Sequence, residues 1–271
     1  MTQNDKAARF RALHDAPGCF LIPNPWDAGS ARLLAGMGFR AVATSSAAAA
    51  CAIGQRDGGI TRDQALAHAR LIVEATDLPV SADLENGFGD SPETVAQTIR
   101  LAAEAGLAGC TIEDSTRNPE HPLYDFDLAV ERIAAAVEAV RWLRFPFVLT
   151  ARAHNLLYGG TLDETLRRLE AYQRVGADVL FAPGLPDLDA VRTTCAAVSK
   201  PVNFMVGIPG KSFPLADLEA AGVKRVSVAT SLYRAAMTGL LDAIREMQGP
   251  GTFGFVDRVV GTGDLYRVMG I

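Results

Sequence analysis

The chain has 271 residues, 49% of them hydrophobic and 21% charged, with a formal net charge of −5. That is ample apolar material for a large core at the length of one α/β barrel, which excludes a disordered chain and leads us to expect a single domain over 1–271. The acidic balance without a run of Lys or Arg excludes a binder of phosphate backbones, and no stretch reads as a signal peptide or membrane span; the expectation is a cytoplasmic protein with neither nucleic acid nor membrane as partner.

From the N-terminus, short apolar runs alternate with Ala/Leu/Arg segments of helical period. FLIP (20–23) predicts a strand that ends at Asn24 and Asp27 and feeds a helix over 27–37. RAVAT (40–44) opens into TSSAAAACAIGQRDGG, a small-residue stretch read as a loop and carrying Thr44, Ser45, Ser46, Ala47 and Asp57 ahead of a helix over 61–76. LPVSAD (78–83) closes on Asp83, Glu85 and Asn86, and AGCTIE (108–113) on Glu113 and Asp114; helices follow over 92–105 and 127–140. PFVLTAR (146–152) ends in Arg152, His154 and Asn155, and DVLFAP (178–183) in Pro183 and Gly184, with helices over 161–175 and 187–198. PVNFMV (201–206) offers Asn203, then a helix over 214–221; RVSVAT (225–230) is the last strand, followed by a helix over 231–247 and an extension over 250–271. Eight such units, with Gly at 38, 106, 176 and 222 where helix C-caps want a left-handed residue, predict a (β/α)8 barrel of the TIM type. A doubly wound open sheet is the alternative, but no GxGxxG follows the first strand.

In a barrel the strand ends line one mouth, and here acids crowd one half of it. If the third strand runs on through residue 85, Asp83 and Glu85 share a face, with Glu113 on the next strand and Asp57 from the preceding loop close by. Oxygen-only ligands without His or Cys suit a hard cation, Mg²⁺ in particular, which binds through one or two carboxylates and keeps several waters. The competing explanation is that such acids are helix N-caps and solvated loop residues. A guanidinium at Arg152 suits bidentate capture of a carboxylate or phosphate, against a structural ion pair with Glu113 or Asp114. The amides near Ser45, Ser46 and Ala47 could form a nest for an anionic group, against a merely tight turn. Cys19, Cys51, Cys110 and Cys195 lie far apart without zinc spacing and read as inert reduced thiols.

PNPWDAGSARLLAGMGFRAVATSS, GQRDGG, DLPVSADLENGFGD, AGCTIEDS, FVLTAR and GADVLF, in that order from about residue 18 to about 240, resemble the isocitrate lyase/phosphoenolpyruvate mutase superfamily. The resemblance implies a barrel that binds Mg²⁺, or Mn²⁺, and a small 2-oxo or 2-hydroxy acid, and works through an enolate of pyruvate or a close relative. By matching motifs, Asp83 would ligate the metal directly, while Asp57, Glu85 and Glu113 would hold its waters. Arg152 and the Ser45–Ser46–Ala47 segment would bind the acid groups of the substrate, with Asn203 on the same mouth. The segment after GTFGF is similar to the family's last helical extension, which implies packing on, or exchange with, a neighbouring subunit in a homodimer or homotetramer.

Two departures shape the functional expectation. Lyases of the family carry a Cys that delivers a proton in a segment where this chain has STRNPEHPLYDF (115–126), without a Cys. The mutase branch carries a Lys-Thr-Asn gate there, where this chain offers Arg117, Asn118 and His121. The sequence therefore points to a Mg²⁺-dependent carbon–carbon lyase with Arg152 and Glu113 as catalytic groups and solvent or His121 as proton source. The rivals are P–C bond formation or hydrolysis at phosphonopyruvate, and a relative that holds an oxo-acid without turnover.

Overall fold

The computed structural model describes residues 1–271. In chain order the elements are α1 (Gln3–Asp15), β1 (Phe20–Ile22), α2 (Ala28–Gly36), β2 (Val42–Ala43), α3 (Ser46–Ala52), α4 (Arg62–Ala75), β3 (Val80–Asp83), α5 (Pro92–Glu104) and β4 (Gly109–Glu113). They continue with β5 (Ser115–Asn118), β6 (His121–Leu123), α6 (Phe126–Arg141), β7 (Val148–Arg152), α7 (Leu162–Val175), β8 (Val179–Phe181), α8 (Leu188–Ala197), β9 (Val202–Met205), α9 (Leu215–Ala220), β10 (Arg225–Ser227), α10 (Ser231–Gln248) and α11 (Thr262–Met269).

Eight strands form one parallel sheet in the order β1-β10-β9-β8-β7-β4-β3-β2. The sheet curls until β2 returns to β1, where Ala43 N donates to Pro23 O at 3.0 Å. Asn24 ties the seam at the mouth: its Nδ2 donates to Thr44 O at 2.9 Å and its Oδ1 accepts from Val228 N at 2.9 Å. The fold is therefore a (β/α)8 barrel, with all eight predicted strands in place. The sheet and its helices share a cluster of 38 buried apolar residues, and alternation along each strand leaves the opposite row of side chains for the barrel interior.

Helices α1 and α3 and the hairpin β5–β6 are additions to the sequence reading, and the expected C-terminal extension is helical. Helix α1, capped by Thr2 and Asp5 in a reciprocal box, closes the barrel at the N-terminal ends of the strands and buries Ala7 and Phe10 against Phe20, Ala41, Val148 and Val179. Gly109 permits that approach, since a Cβ there would meet Phe10 Cε1 at 2.9 Å. The Ala-rich stretch after β2 contains the short helix α3, with Ser45 as its N-cap. Residues 115–123 form the antiparallel hairpin β5–β6 over the mouth. Finally, α11 folds back on α2 of the same chain, whereas α10 buries none of its residues and exposes Leu240, Leu241 and Met247.

The α2–α11 packing rests on one missing side chain. A Cβ on Gly36 would collide with the backbone carbonyl of Val268. Gly36→Ala, otherwise a helix-favouring change of ~1 kcal/mol, is expected to dislodge α11. Limited proteolysis should then cut within 250–271 faster than in the parent, with the thermal midpoint of the barrel within a few degrees; unchanged cleavage would contradict the packing.

Candidate active site

Strand β3 delivers Asp83 to the mouth, and neutral donors hold its carboxylate there. Ser46 N (3.3 Å) and Ser46 Oγ (3.0 Å) donate to Oδ2, Glu85 N (3.2 Å) donates to Oδ1, and the Asp83 amide is fixed by Thr44 Oγ1 at 3.0 Å. Ser46 thus spends both donors on Asp83, where the sequence reading gave the Ser45–Ala47 segment to the substrate; Ser45 Oγ accepts from Ala48 N at 3.4 Å.

The strand does not continue to residue 85, as the period-two argument required. Glu85 sits in the left-handed region at φ 57°, so the backbone turns at the end of β3 and drives its side chain inward, 1% exposed. Its neighbour there is Arg117 from the hairpin, itself left-handed at φ 65°, which forms an ion pair with Glu85. That pair lacks hydrogen-bond geometry, and both Glu85 oxygens are buried without a hydrogen-bond partner. Burial pushes the Glu85 carboxyl up to about 8; Arg117 opposes the rise, and Asp83, Asp57 and Glu113 reinforce it.

Glu113 and Arg152 are register partners across β4 and β7. Arg152 Nη1 lies 3.1 Å from Glu113 Oε2 and 3.8 Å from Asp83 Oδ2, so one guanidinium faces both acids. The ring of Phe181 lies under it at 4.9 Å, and Arg152 Nε is buried without a partner. Burial alone would raise the Glu113 pKa, but Arg152 and then His154 overcome it and hold the carboxyl down to about 2. The alternative partner of Arg152, Asp114, is engaged elsewhere: its Oδ2 accepts from Arg168 Nη1 (2.9 Å) and Tyr172 OH (2.8 Å), and its Oδ1 from the backbone N of His154 (2.8 Å). Asp114 is a buried anchor for the β7 turn, neither a solvated cap nor a ligand.

One cavity at the mouth brings together Ser45, Ser46, Ala47, Asp57, Asp83, Glu113, Arg152 and Asn203, with Arg117 reaching in from the hairpin. Glu85 lies behind Arg117. His121 is not brought in: the second hairpin strand leaves it exposed, with its carbonyl bonded to Thr116 Oγ1. The cavity's histidine is His154, which the sequence placed at a strand end without a role. It is 7% exposed, Nδ1 lies 3.4 Å from Glu113 Oε1, and neither ring nitrogen has a hydrogen-bond partner. Its spacing two residues past Arg152 was the available signal, masked because the strand ends at Arg152 and the turn, held by Asp114, redirects the ring.

The acid cluster is chemically suited to a hard divalent cation. All its donors are carboxylate oxygens, those of Glu85 being buried and faced by Arg117 without a hydrogen bond. No group of three His, Cys, Asp or Glu side chains converges closely enough to hold a metal ion by itself, so these acids would reach an ion only through one direct carboxylate and bridging waters.

The family model for phosphoenolpyruvate phosphomutase matches residues 10–248. The 2-methylisocitrate lyase of Escherichia coli is 31% identical over 87% of this chain and 82% of its own length. An oxaloacetate decarboxylase of Marinomonas sp. is 28% identical over 92% of this chain and 87% of its own. Among solved structures, a Burkholderia cenocepacia protein classed provisionally as a lyase or mutase superposes with a TM-score of 0.97 at 54% identity, covering 99% of this chain and 98% of that one. The barrel, the order of its motifs and a family model that spans most of its length lead to one conclusion: the chain belongs to the isocitrate lyase/phosphoenolpyruvate mutase superfamily.

Proposed function

We propose that the protein is a divalent-cation-dependent carbon–carbon lyase acting on a small 2-oxo or 2-hydroxy acid. The observation that carries the reading is Arg152 facing both Asp83 and Glu113 in a cavity that Asp57 also lines, with Glu85 buried behind Arg117. Asp83 would hold Mg²⁺, with Asp57, Glu85 and Glu113 on its waters, and the ion would supply Lewis-acid withdrawal of electron density from the acid's oxygens. Arg152 would orient the acid's carboxylate, the ring of Phe181 beneath it restricting the approach. In a 2-oxo acid such as oxaloacetate, breaking the bond between the carbon next to the carbonyl and the distal carboxylate releases carbon dioxide and leaves the electron pair spread over carbon and oxygen as an enolate, which must then take a proton. His154 Nε2, in the cavity and free of protein partners, is the group in place to deliver it, a role the sequence reading gave to solvent or His121. Relatives that cleave methylisocitrate and decarboxylate oxaloacetate support this class. The exposed apolar residues of α10 support self-association as a homo-oligomer.

The test is turnover of oxaloacetate with and without chelation, run beside methylisocitrate and phosphonopyruvate. Oxaloacetate should react only with the cation present, and methylisocitrate should not, because no thiol stands in 115–126. His154→Ala should lower kcat by about 10²-fold with little change in KM, and His121→Ala should leave both alone. Activity surviving exhaustive chelation, or loss with His121→Ala in place of His154→Ala, would refute the assignment.

Cation binding should also report Glu85. With burial pushing its carboxyl up to about 8 against the pull of Arg117, Glu85 is expected to take up a proton as pH falls below that value in the cation-free protein and to release it on facing a cation. Mg²⁺ affinity is therefore expected to rise about tenfold per pH unit below 8 and level off above it. Calorimetry in buffers of different ionisation heat reads the released proton directly. The dependence should vanish in Glu85→Gln, together with a loss of about 10–100-fold in affinity.

A further inference from the structure

Arg132 on α6 is 1% exposed, and its guanidinium is spent on backbone. Nη1 donates to Gly89 O at 2.7 Å and also to Asp90 O, and Nη2 donates to Asn86 O. All three carbonyls belong to the turn that follows β3 and carries Glu85. That turn needs holding: Glu85, Gly87 and Phe88 have φ of 57°, 83° and 63°, and a non-glycine residue stays left-handed only where its surroundings over-determine it. The carbonyls of the turn are pinned one by one. Leu84 O accepts from Gly87 N (2.8 Å), Glu85 O from Glu113 N (2.8 Å) and Gly87 O from Thr98 Oγ1 (2.8 Å), while Arg132 alone takes those of Asn86, Gly89 and Asp90.

The guanidinium lies over the ring of Tyr124, 4.0 Å from its centre, and Tyr124 is the residue after the hairpin strand β6. Its hydroxyl has one proton, which goes to Asp90 Oδ1 at 2.6 Å, so it can only accept from Asn86 Nδ2 at 2.9 Å. The Asn86 oxygen is thereby left to accept from Phe88 N at 3.1 Å, the amide of a left-handed residue. The hairpin is thus joined to the turn at two places, by Tyr124 at its base and by Arg117 on Glu85. Neither Arg132 nor Tyr124 lines the cavity at the mouth. We infer that Arg132 is a positioning residue that, stacked on Tyr124, holds the turn after β3 from behind and so sets Glu85 on the cation side of the cavity. The inference rests on the cation reading given under Proposed function, and adds to it the group outside the cavity through which Glu85 is placed.

The test is Mg²⁺ affinity by calorimetry, beside hydrogen exchange of the cation-free protein. Arg132→Lys keeps the charge but can neither fork across three carbonyls nor stack on Tyr124, and should weaken Mg²⁺ binding by about tenfold. Tyr124→Phe keeps the ring, removes the hydroxyl, and should give a smaller loss in the same direction. In both variants the amides of Gly87 and Phe88 should exchange faster than in the parent. Combination with Glu85→Gln separates positioning from general destabilisation: the double variant should bind Mg²⁺ no more weakly than Glu85→Gln alone, because Arg132 acts through Glu85. Should Arg132→Lys not fold, Tyr124→Phe carries the same comparison. Parent affinity in the single variant, or losses that multiply in the double one, overturns the inference alone. A parent that binds no Mg²⁺ overturns the cation reading and the inference with it.

Discussion

Carboxylates gathered at one end of a barrel and shielded from water cannot all ionise unless positive charge or hydrogen-bond donors reach them, and the site is arranged around that constraint. Each acid meets it differently. Glu113 has Arg152 and is held down to about 2. Asp83 has none of the arginines at ideal range and relies on the Ser46 and Glu85 amides and the Ser46 hydroxyl. Glu85 has Arg117 alone, without hydrogen-bond geometry, and is pushed up to about 8. The β3–β4 side is thus short of positive charge, whereas the opposite wall holds Arg225, a buried cation without an acid. The cavity thus has carboxylates on one side and a buried guanidinium on the other, the polarity that the proposed reaction would need as negative charge builds on an acid between them.

The fold supplies this polarity through register. Pairing of Glu113 with Arg152 across β4 and β7, and of Arg225 with Asn203 across β10 and β9, places each arginine beside a polar side chain it contacts. The hairpin β5–β6 adds Arg117, a cation that the barrel strands do not supply to this side of the cavity. The imidazole in the cavity is that of His154, whose backbone is pinned through Asp114 to Arg168 and Tyr172 on α7. Chemistry and scaffold meet at that carboxylate, one residue past Glu113.

The barrel was legible because its signal repeats: eight apolar runs, helical periods between them, and glycines such as Gly176 at the helix ends. Elements that break the cadence were not. The segment after β2 is so rich in Ala and Ser that a helical turn and a loop look alike, and the hairpin over 115–123 has only short strands with a proline in the second. In the site, residue types and strand ends pointed to Asp83, Glu113, Arg152 and Asn203, and all four line the cavity. Orientation was beyond the pattern wherever the backbone leaves regular geometry. A positive φ at Glu85 replaces the expected strand alternation, and the turn after Arg152 brings in His154 while the hairpin carries His121 outward. Arg225 was passed over because it starts a strand at the far end of the barrel, although alternation with the outward Val226 puts it on the inner face.

The central claim, a cation on the acid side and an oxo-acid on Arg152 within one cavity, is tested most directly by a crystal structure of the protein with Mg²⁺ and oxalate. The account predicts an ion beside Asp83, with water between it and Glu85 and Glu113, and an oxalate carboxylate on the Arg152 guanidinium. Oxalate bound outside this cavity, or a magnesium ion confined to surface acids while Asp83 keeps only its Ser46 and Glu85 donors, would contradict it.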